Sequence, residues 1–129
     1  VVLKTLLDPG DEVLFPSPFF VEYKFYVDNH GGVPRPVMSR DDFSLDLEGF
    51  ARAISEKTKA VLVNSPNNPT GKVYSRESLE ALAGLLEIYP VRGAAAPADD
   101  RRCHQASVAL LVCECAGLLG YPCGGTGPW

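Results

Sequence analysis

Apolar residues come along the first two thirds of the chain in short bursts, separated by turn-forming clusters, and the bursts alternate between helical and strand spacing. Val2, Leu3, Leu6 and Leu7 follow the helical period, and Asp8-Pro9-Gly10-Asp11 stops that helix with a proline and a glycine. Glu12-Val13-Leu14-Phe15 then reads as a short buried strand ending at Pro16. The turn cluster Asp28-Asn29-His30-Gly31-Gly32 leads into Val33 to Met38. That segment can be only an edge or irregular strand, because Pro34 and Pro36 cannot donate to a ladder. Asp46 is placed to N-cap a helix carrying Leu47, Phe50, Ala51 and Ile54 on one face. Ala60 to Asn64 is nearly all apolar, the pattern of a central parallel strand covered on both faces. Ser75 caps a further helix in which Leu79, Leu82 and Leu86 recur at i, i+3 and i+7, with Glu77 in its first turn. Strands alternating with helices predict an α/β fold built on a mainly parallel sheet.

The pattern lapses from Tyr89 onward. Val91 to Ala98 carries little information, and all 4 cysteines (Cys103, Cys113, Cys115, Cys123) lie beyond it. In this tail only Gln105 to Leu119 reads as a helix, and its apolar residues lie all round rather than in a stripe, so it would have to be buried. Residues 1–89 therefore form one organised unit, and residues 90–129 an anomalous tail, either poorly ordered or a lone helix over 105–119. The abrupt change, with its Ala, Arg, Gly and Cys bias, predicts a frameshifted or mis-spliced reading; a lineage-specific segment that binds a partner is the alternative.

Composition narrows the function classes. The 129 residues hold 12 basic and 16 acidic side chains, a net charge of −4, with no basic cluster that would mark a nucleic-acid surface. No uncharged apolar run reaches the ~18 residues of a membrane span. The start, Val1-Val2-Leu3-Lys4, has neither a basic leader nor a cleavage site and does not begin with Met, so a cytoplasmic fragment or processed chain is expected. Cys103, His104, Cys113 and Cys115 lack a Cys-x-x-Cys pair and include Cys-x-Cys, which argues against zinc, and nothing supports disulfides.

The chemistry concentrates in one stretch. Asn67-Asn68-Pro69-Thr70-Gly71-Lys72 follows directly on the apolar strand and Ser65-Pro66. A strand that ends in a polar, proline-fixed turn presents amides and backbone groups at the carboxyl edge of a sheet, where open α/β folds bind ligands. Lys59 through Gly71 resembles the Asn-Pro-x-Gly signature of class I/II aminotransferases, the fold-type I pyridoxal-phosphate enzymes. Leu6 to Val13 is similar to the family's helix-to-strand passage, and Pro16-Ser17-Pro18-Phe19-Phe20-Val21-Glu22-Tyr23 to the loop where the family sets an aromatic ring against the cofactor. Leu45 to Ile54 and Lys57 to Ala60 match the helix and turn before the Asn-Pro strand. The resemblance covers residues 2–88 in order. It implies part of a three-layer α/β/α large domain, in a homodimeric parent that moves an amino group between an amino acid and a 2-oxo acid.

By that resemblance Asn68 is the asparagine whose amide bonds the cofactor's 3′-oxygen, often through a cis Asn-Pro bond, and Phe20 is the residue that stacks on the pyridine ring. Two bland readings compete with these. Asn68 could be a turn asparagine bonding its own backbone, and Phe20 could pack in a core beside Phe19, Phe25 and Tyr26. Tyr23 reads as a wall residue and His30 as a solvated turn residue. Lys72 is not the Schiff-base lysine, which the family places on a later segment. The resemblance also requires an acidic residue on the strand after the Ser75 helix, followed by a tyrosine. No apolar strand ending in Asp-x-x-Tyr is read there, and Asp99 and Asp100 do not match. The Schiff-base lysine, the downstream phosphate-binding residues and the substrate-carboxylate arginine have no counterparts in the 129 residues. The expected activity is therefore that of a catalytically incomplete piece, with a non-catalytic α/β interaction module as the alternative.

Overall fold

The computed structural model describes residues 2–88 and 109–114. In chain order these form α1 (Val2–Leu6), β1 (Glu12–Ser17), α2 (Glu22–Asp28), β2 (Val33–Met38), α3 (Leu47–Ala53), β3 (Thr58–Ser65), α4 (Arg76–Ile88) and β4 (Ala109–Glu114). Among the described residues the sheet is four-stranded and parallel, in the order β2-β1-β3-β4. The α/β expectation is thereby met.

Two cores lie on opposite faces of this sheet, because alternate residues of a strand point to opposite sides. Val13 and Phe15 of β1 and Ala60 of β3 pack with Leu7 and Val27, under α1 and α2. Leu14 of β1 and Val61 and Val63 of β3 pack the other way, with Phe50, Leu82 and Leu86 of α3 and α4. The predicted stripe of α4 is present: Leu82 and Leu86 are buried, with Leu79 and Leu85 packed beside them. In α3 the face is Leu47, Phe50, Ala53 and Ile54, so Ala53 replaces the expected Ala51. Tyr74 belongs to the same core, and among the described residues its buried hydroxyl finds no hydrogen-bond partner. Burial pushes its phenol above the ordinary range.

Local signals act largely as read. Asp11 closes the turn after α1 by accepting from the Asp8 N–H at 2.9 Å, and Gly10 takes a left-handed φ of 91°. Ser75 Oγ accepts from the Ser78 N–H at 3.2 Å, which caps α4. Glu77 is held below the usual carboxylate range by its own backbone N–H and by the Ser75 hydroxyl. Asp46 departs from expectation. It occupies the N-cap position of α3 without making a side-chain cap bond, and its carboxylate lies 3.6 Å from the Arg52 guanidinium instead.

Three further differences matter for the site. β1 runs through Pro16 to Ser17 rather than stopping at Phe15. The proline is tolerated because β1 pairs with β3 only as far as Leu14↔Val61, while its pairing with β2 continues to Ser17↔Met38. α2 was not anticipated: of its seven residues only Val27 is buried, too little to print a helical stripe. Finally, Ala109–Glu114 is a strand and not part of a helix over 105–119. It pairs in parallel along β3, from Ala60↔Ala109 to Ser65↔Glu114. A four-to-eight-residue apolar run fits a strand buried in a parallel sheet as well as a helix, and the open edge of β3 decides between them. The remainder of the expected tail helix lies outside the described residues.

Candidate functional site

The strand order locates a crevice. From β1 the chain moves to β2 on one side, then crosses to β3 on the other side of β1, so the direction of winding reverses between β1 and β3. In open α/β sheets this switch point, outside the carboxyl ends of the strands, is where ligands bind. The two strands also part company there, since their pairing ends at Leu14↔Val61 while β1 continues to Ser17 and β3 to Ser65. The segments leaving these two ends are Pro18-Phe19-Phe20 and Pro66-Asn67-Asn68-Pro69-Thr70-Gly71. The structure thus places both sequence-predicted site residues, Phe20 and Asn68, on the two loops that leave the carboxyl ends of the adjacent strands β1 and β3.

Asn68 is exposed, and among the described residues its side chain has no hydrogen-bond partner. The Asn68–Pro69 peptide is cis, as are Ser65–Pro66 and Ser17–Pro18. The turn-asparagine role falls instead to its neighbour. Asn67 is 5% exposed, and its Nδ2 donates to the Thr70 hydroxyl at 2.9 Å and to the Pro18 carbonyl at 3.1 Å. Its backbone N–H donates to the Lys72 carbonyl at 2.8 Å, and its own carbonyl accepts from the Gly71 N–H at 2.6 Å. Gly71 has a φ of 70°, in the left-handed region, with open space where a Cβ would sit. Backbone conformation is therefore the demand at that position.

The aromatic cluster divides its labour similarly. Phe19 turns inward and meets Phe15 edge-on, with ring centroids 4.6 Å apart. Phe20 belongs to neither core; it is half-buried and meets Tyr23 edge-on at 5.8 Å. Tyr23 bridges outward ring and core ring, lying 6.2 Å from Phe15 as well. Phe25 and Tyr26, the other supposed core neighbours of Phe20, are exposed on α2.

The far end of the turn is tied to a third loop. Lys72 Nζ lies 3.1 Å from Asp42 Oδ2, in the loop after β2, so this lysine is already engaged in an ion pair. Asp42 also accepts from the Ser44 hydroxyl at 2.6 Å and the Ser44 N–H at 3.0 Å. The hydroxyl bond, then the amide bond and the Lys72 contact, hold the Asp42 carboxyl well below the usual carboxylate range. Behind the turn, the buried Ser65 Oγ accepts from the Tyr74 N–H at 3.2 Å. On the other flank β4 ends at Glu114, in register with Ser65, which puts an acidic residue at the same edge of the sheet. The sequence reading found no apolar strand ending in Asp-x-x-Tyr after α4, and β4 does not supply that pattern, since Gly117 stands three residues after Glu114. It named Asn67 within the turn motif without giving it a role, and it missed Asp42 and Ser44, which carry no signal beyond being polar residues near turns.

Residues 1–92 match the family described as "Aminotransferase class I and II". The chain is 45% identical over 85 residues to the probable aspartate/prephenate aminotransferase of Aquifex aeolicus, covering 64% of this chain and 22% of that protein. It is 50% identical over 86 residues to the aspartate/prephenate aminotransferase of Thermus thermophilus, covering 65% of this chain and 22% of that protein. Among solved structures, Thermus thermophilus aspartate aminotransferase with maleate superposes with a TM-score of 0.71 at 39% identity, over 88% of this chain and 26% of that one. The chain thus spans about a fifth of the length of the curated relatives it matches.

Proposed function

The chain belongs to the class I and II aminotransferase family, and we propose that its β1–β3 crevice is one wall of a pyridoxal-phosphate site. One observation carries the reading: an exposed Asn68 amide without a partner among the described residues, beside the Phe20 loop at the switch point of the sheet. The residues fit the group. A polar side chain that satisfied itself within the turn would have nothing to offer a ligand, and here Asn67 satisfies the turn, while Asn68 has no partner among the described residues.

Pyridoxal phosphate supplies an electron sink when bound, and the protein orients it and tunes its electronics. In this reading the Asn68 amide would donate to the cofactor's 3′-oxygen, and the Phe20 ring would stack on its pyridine ring. Such an offset stack is worth about 0.5–1.5 kcal/mol beyond area burial. The parent enzyme we infer is a cytoplasmic homodimer that exchanges an amino group between an amino acid and a 2-oxo acid. The names of the Aquifex and Thermus relatives favour aspartate as the donor. Residues 1–129 contain no match to the Schiff-base lysine, so alone they bind the cofactor side of the site without turning it over.

Pyridoxamine 5′-phosphate tests this cleanly, because it has no aldehyde to react with surface lysines. Equilibrium dialysis of the full chain is expected to show saturable binding. Asn68→Ala and Phe20→Ala should each weaken it about two- to tenfold, the size of one net hydrogen bond or one stacking contact. Binding that neither substitution changes would refute the assignment.

A further inference from the structure

We propose that Asn67 is the positioning residue of this site, the side chain that holds the Phe20 loop and the Asn68 turn at a fixed separation across the β1–β3 crevice. The proposal rests on the reading of Phe20 and Asn68 as cofactor-facing groups. Its physical basis is independent of that reading.

The two groups are carried by loops whose parent strands do not hold each other near the site. Pairing between β1 and β3 stops at Leu14↔Val61, three residues short of the end of β1 and four short of the end of β3. Beyond that point no ladder bond fixes the spacing, so side chains must do so. Asn67 Nδ2 has two hydrogens to give, and each goes to a different structural unit. One bonds Thr70 Oγ1 at 2.9 Å, inside the turn; the other bonds the Pro18 carbonyl at 3.1 Å, on the opposite loop. The acceptor is two residues before Phe20, and the donor is adjacent to Asn68.

The bond is also sheltered. Asn67 is 5% exposed, and a buried amide–carbonyl pair is little weakened by competing water. Its backbone is locked by the bonds to the Lys72 carbonyl and from the Gly71 N–H, so the amide has a firm base from which to reach across. Thr70 Oγ1 accepts from the Lys72 N–H as well, at 3.2 Å. The turn therefore behaves as one unit, with the Asn67 amide as its outward arm. An aspartate of the same shape would aim an oxygen at the Pro18 carbonyl and turn attraction into repulsion.

The test uses the full 129-residue chain. Amide hydrogen exchange is followed by NMR in the parent, Asn67→Asp and Thr70→Val. In Asn67→Asp the Tyr23 amide, which donates to the Phe20 carbonyl at 3.0 Å, should exchange about tenfold faster, while Val61 and Val63 in the sheet keep their protection. In Thr70→Val only residues 70–72 should loosen, because the Pro18 bond survives. Unchanged exchange at Tyr23 in Asn67→Asp would overturn the proposal, as would equal loss of protection at Tyr23 and in β3, which marks a merely structural role. Should Asn67→Asp fail to fold, the unmutated chain still decides. A scalar coupling across the hydrogen bond from Asn67 Nδ2 to the Pro18 carbonyl supports the link, and its absence overturns it. Pyridoxamine 5′-phosphate binding should weaken about tenfold in Asn67→Asp. If the parent chain does not bind that probe, the cofactor reading fails, while the exchange and coupling results still judge Asn67.

Discussion

Asp42 shows how one exposed carboxylate can be tuned by its immediate contacts. The Ser44 hydroxyl and amide bond one side of it and Lys72 Nζ reaches the other oxygen, and together they lower its pKa, the hydroxyl bond contributing most. The direction fixes the pH behaviour. A carboxyl whose folded pKa is depressed stabilises the loop above its unfolded value, ~3.9, and loses that contribution only as pH falls through the lower folded value. The tether between the turn and the loop after β2 should therefore stay intact at neutral pH and across the ordinary carboxylate range. A carboxyl-carbon NMR titration is expected to place the Asp42 midpoint below that of a free aspartate. Ser44→Ala should raise the midpoint more than Lys72→Met does; the reverse order would show that the ion pair and not the hydroxyl bond is in control. Neither Asp42 nor Ser44 was legible as important in the sequence. Their partnership is made by a loop whose Phe43 sits at a left-handed φ of 63°, and no periodicity encodes such a turn.

At the level of elements, legibility followed the strength of the local pattern. α4 was readable because three leucines repeat on one face beneath a serine cap. α2 was not, because it rests on Val27 alone. β4 was mistaken for a helix because an all-apolar run carries no period, and only the neighbouring edge of β3 makes it a strand. β2 was readable from its prolines, and the register shows why they are harmless. The Val33 N–H donates to the Asp11 carbonyl beside β1, so the nitrogens of residues 33, 35 and 37 face β1 and those of 34 and 36 face outward. Pro34 and Pro36 thus remove donors from the outer edge alone and close the sheet on that side against further pairing. Restoring both donors with Pro34→Val and Pro36→Val should create an adhesive edge. Sedimentation velocity across a concentration series is expected to show association in the double variant beyond that of the parent. Equal behaviour would mean that the edge is protected by something other than its prolines.

Across the whole molecule, stability and chemistry draw on different residues of the same kind. Among the described residues the face beneath α3 and α4 holds the larger core, centred on Phe50 and Leu82, while the face beneath α1 and α2 holds fewer buried side chains. The proposed site sits at the rim between them, where β1 and β3 diverge; there Tyr23 meets both Phe20 and the core ring Phe15 edge-on, and Asn67, beside Asn68, bonds the Pro18 carbonyl. This is why the apolar pattern disclosed the fold, while the site became visible only through the Asn-Pro-Thr-Gly turn and its resemblance. The separation can be measured with two phenylalanines. Phe50 is 1% exposed within the main core, and Phe50→Ala should cost about 3–5 kcal/mol, a large share of the roughly 5–15 kcal/mol that holds a domain together. Phe20 is half-buried, and Phe20→Ala should cost no more than about 1 kcal/mol, since it forfeits only part of the area a phenylalanine gains on burial. Urea unfolding of the two variants reads both values, and Phe20→Ala should remain folded while losing cofactor affinity. A Phe20→Ala penalty as large as that of Phe50→Ala would put this ring in the core and remove it from the site.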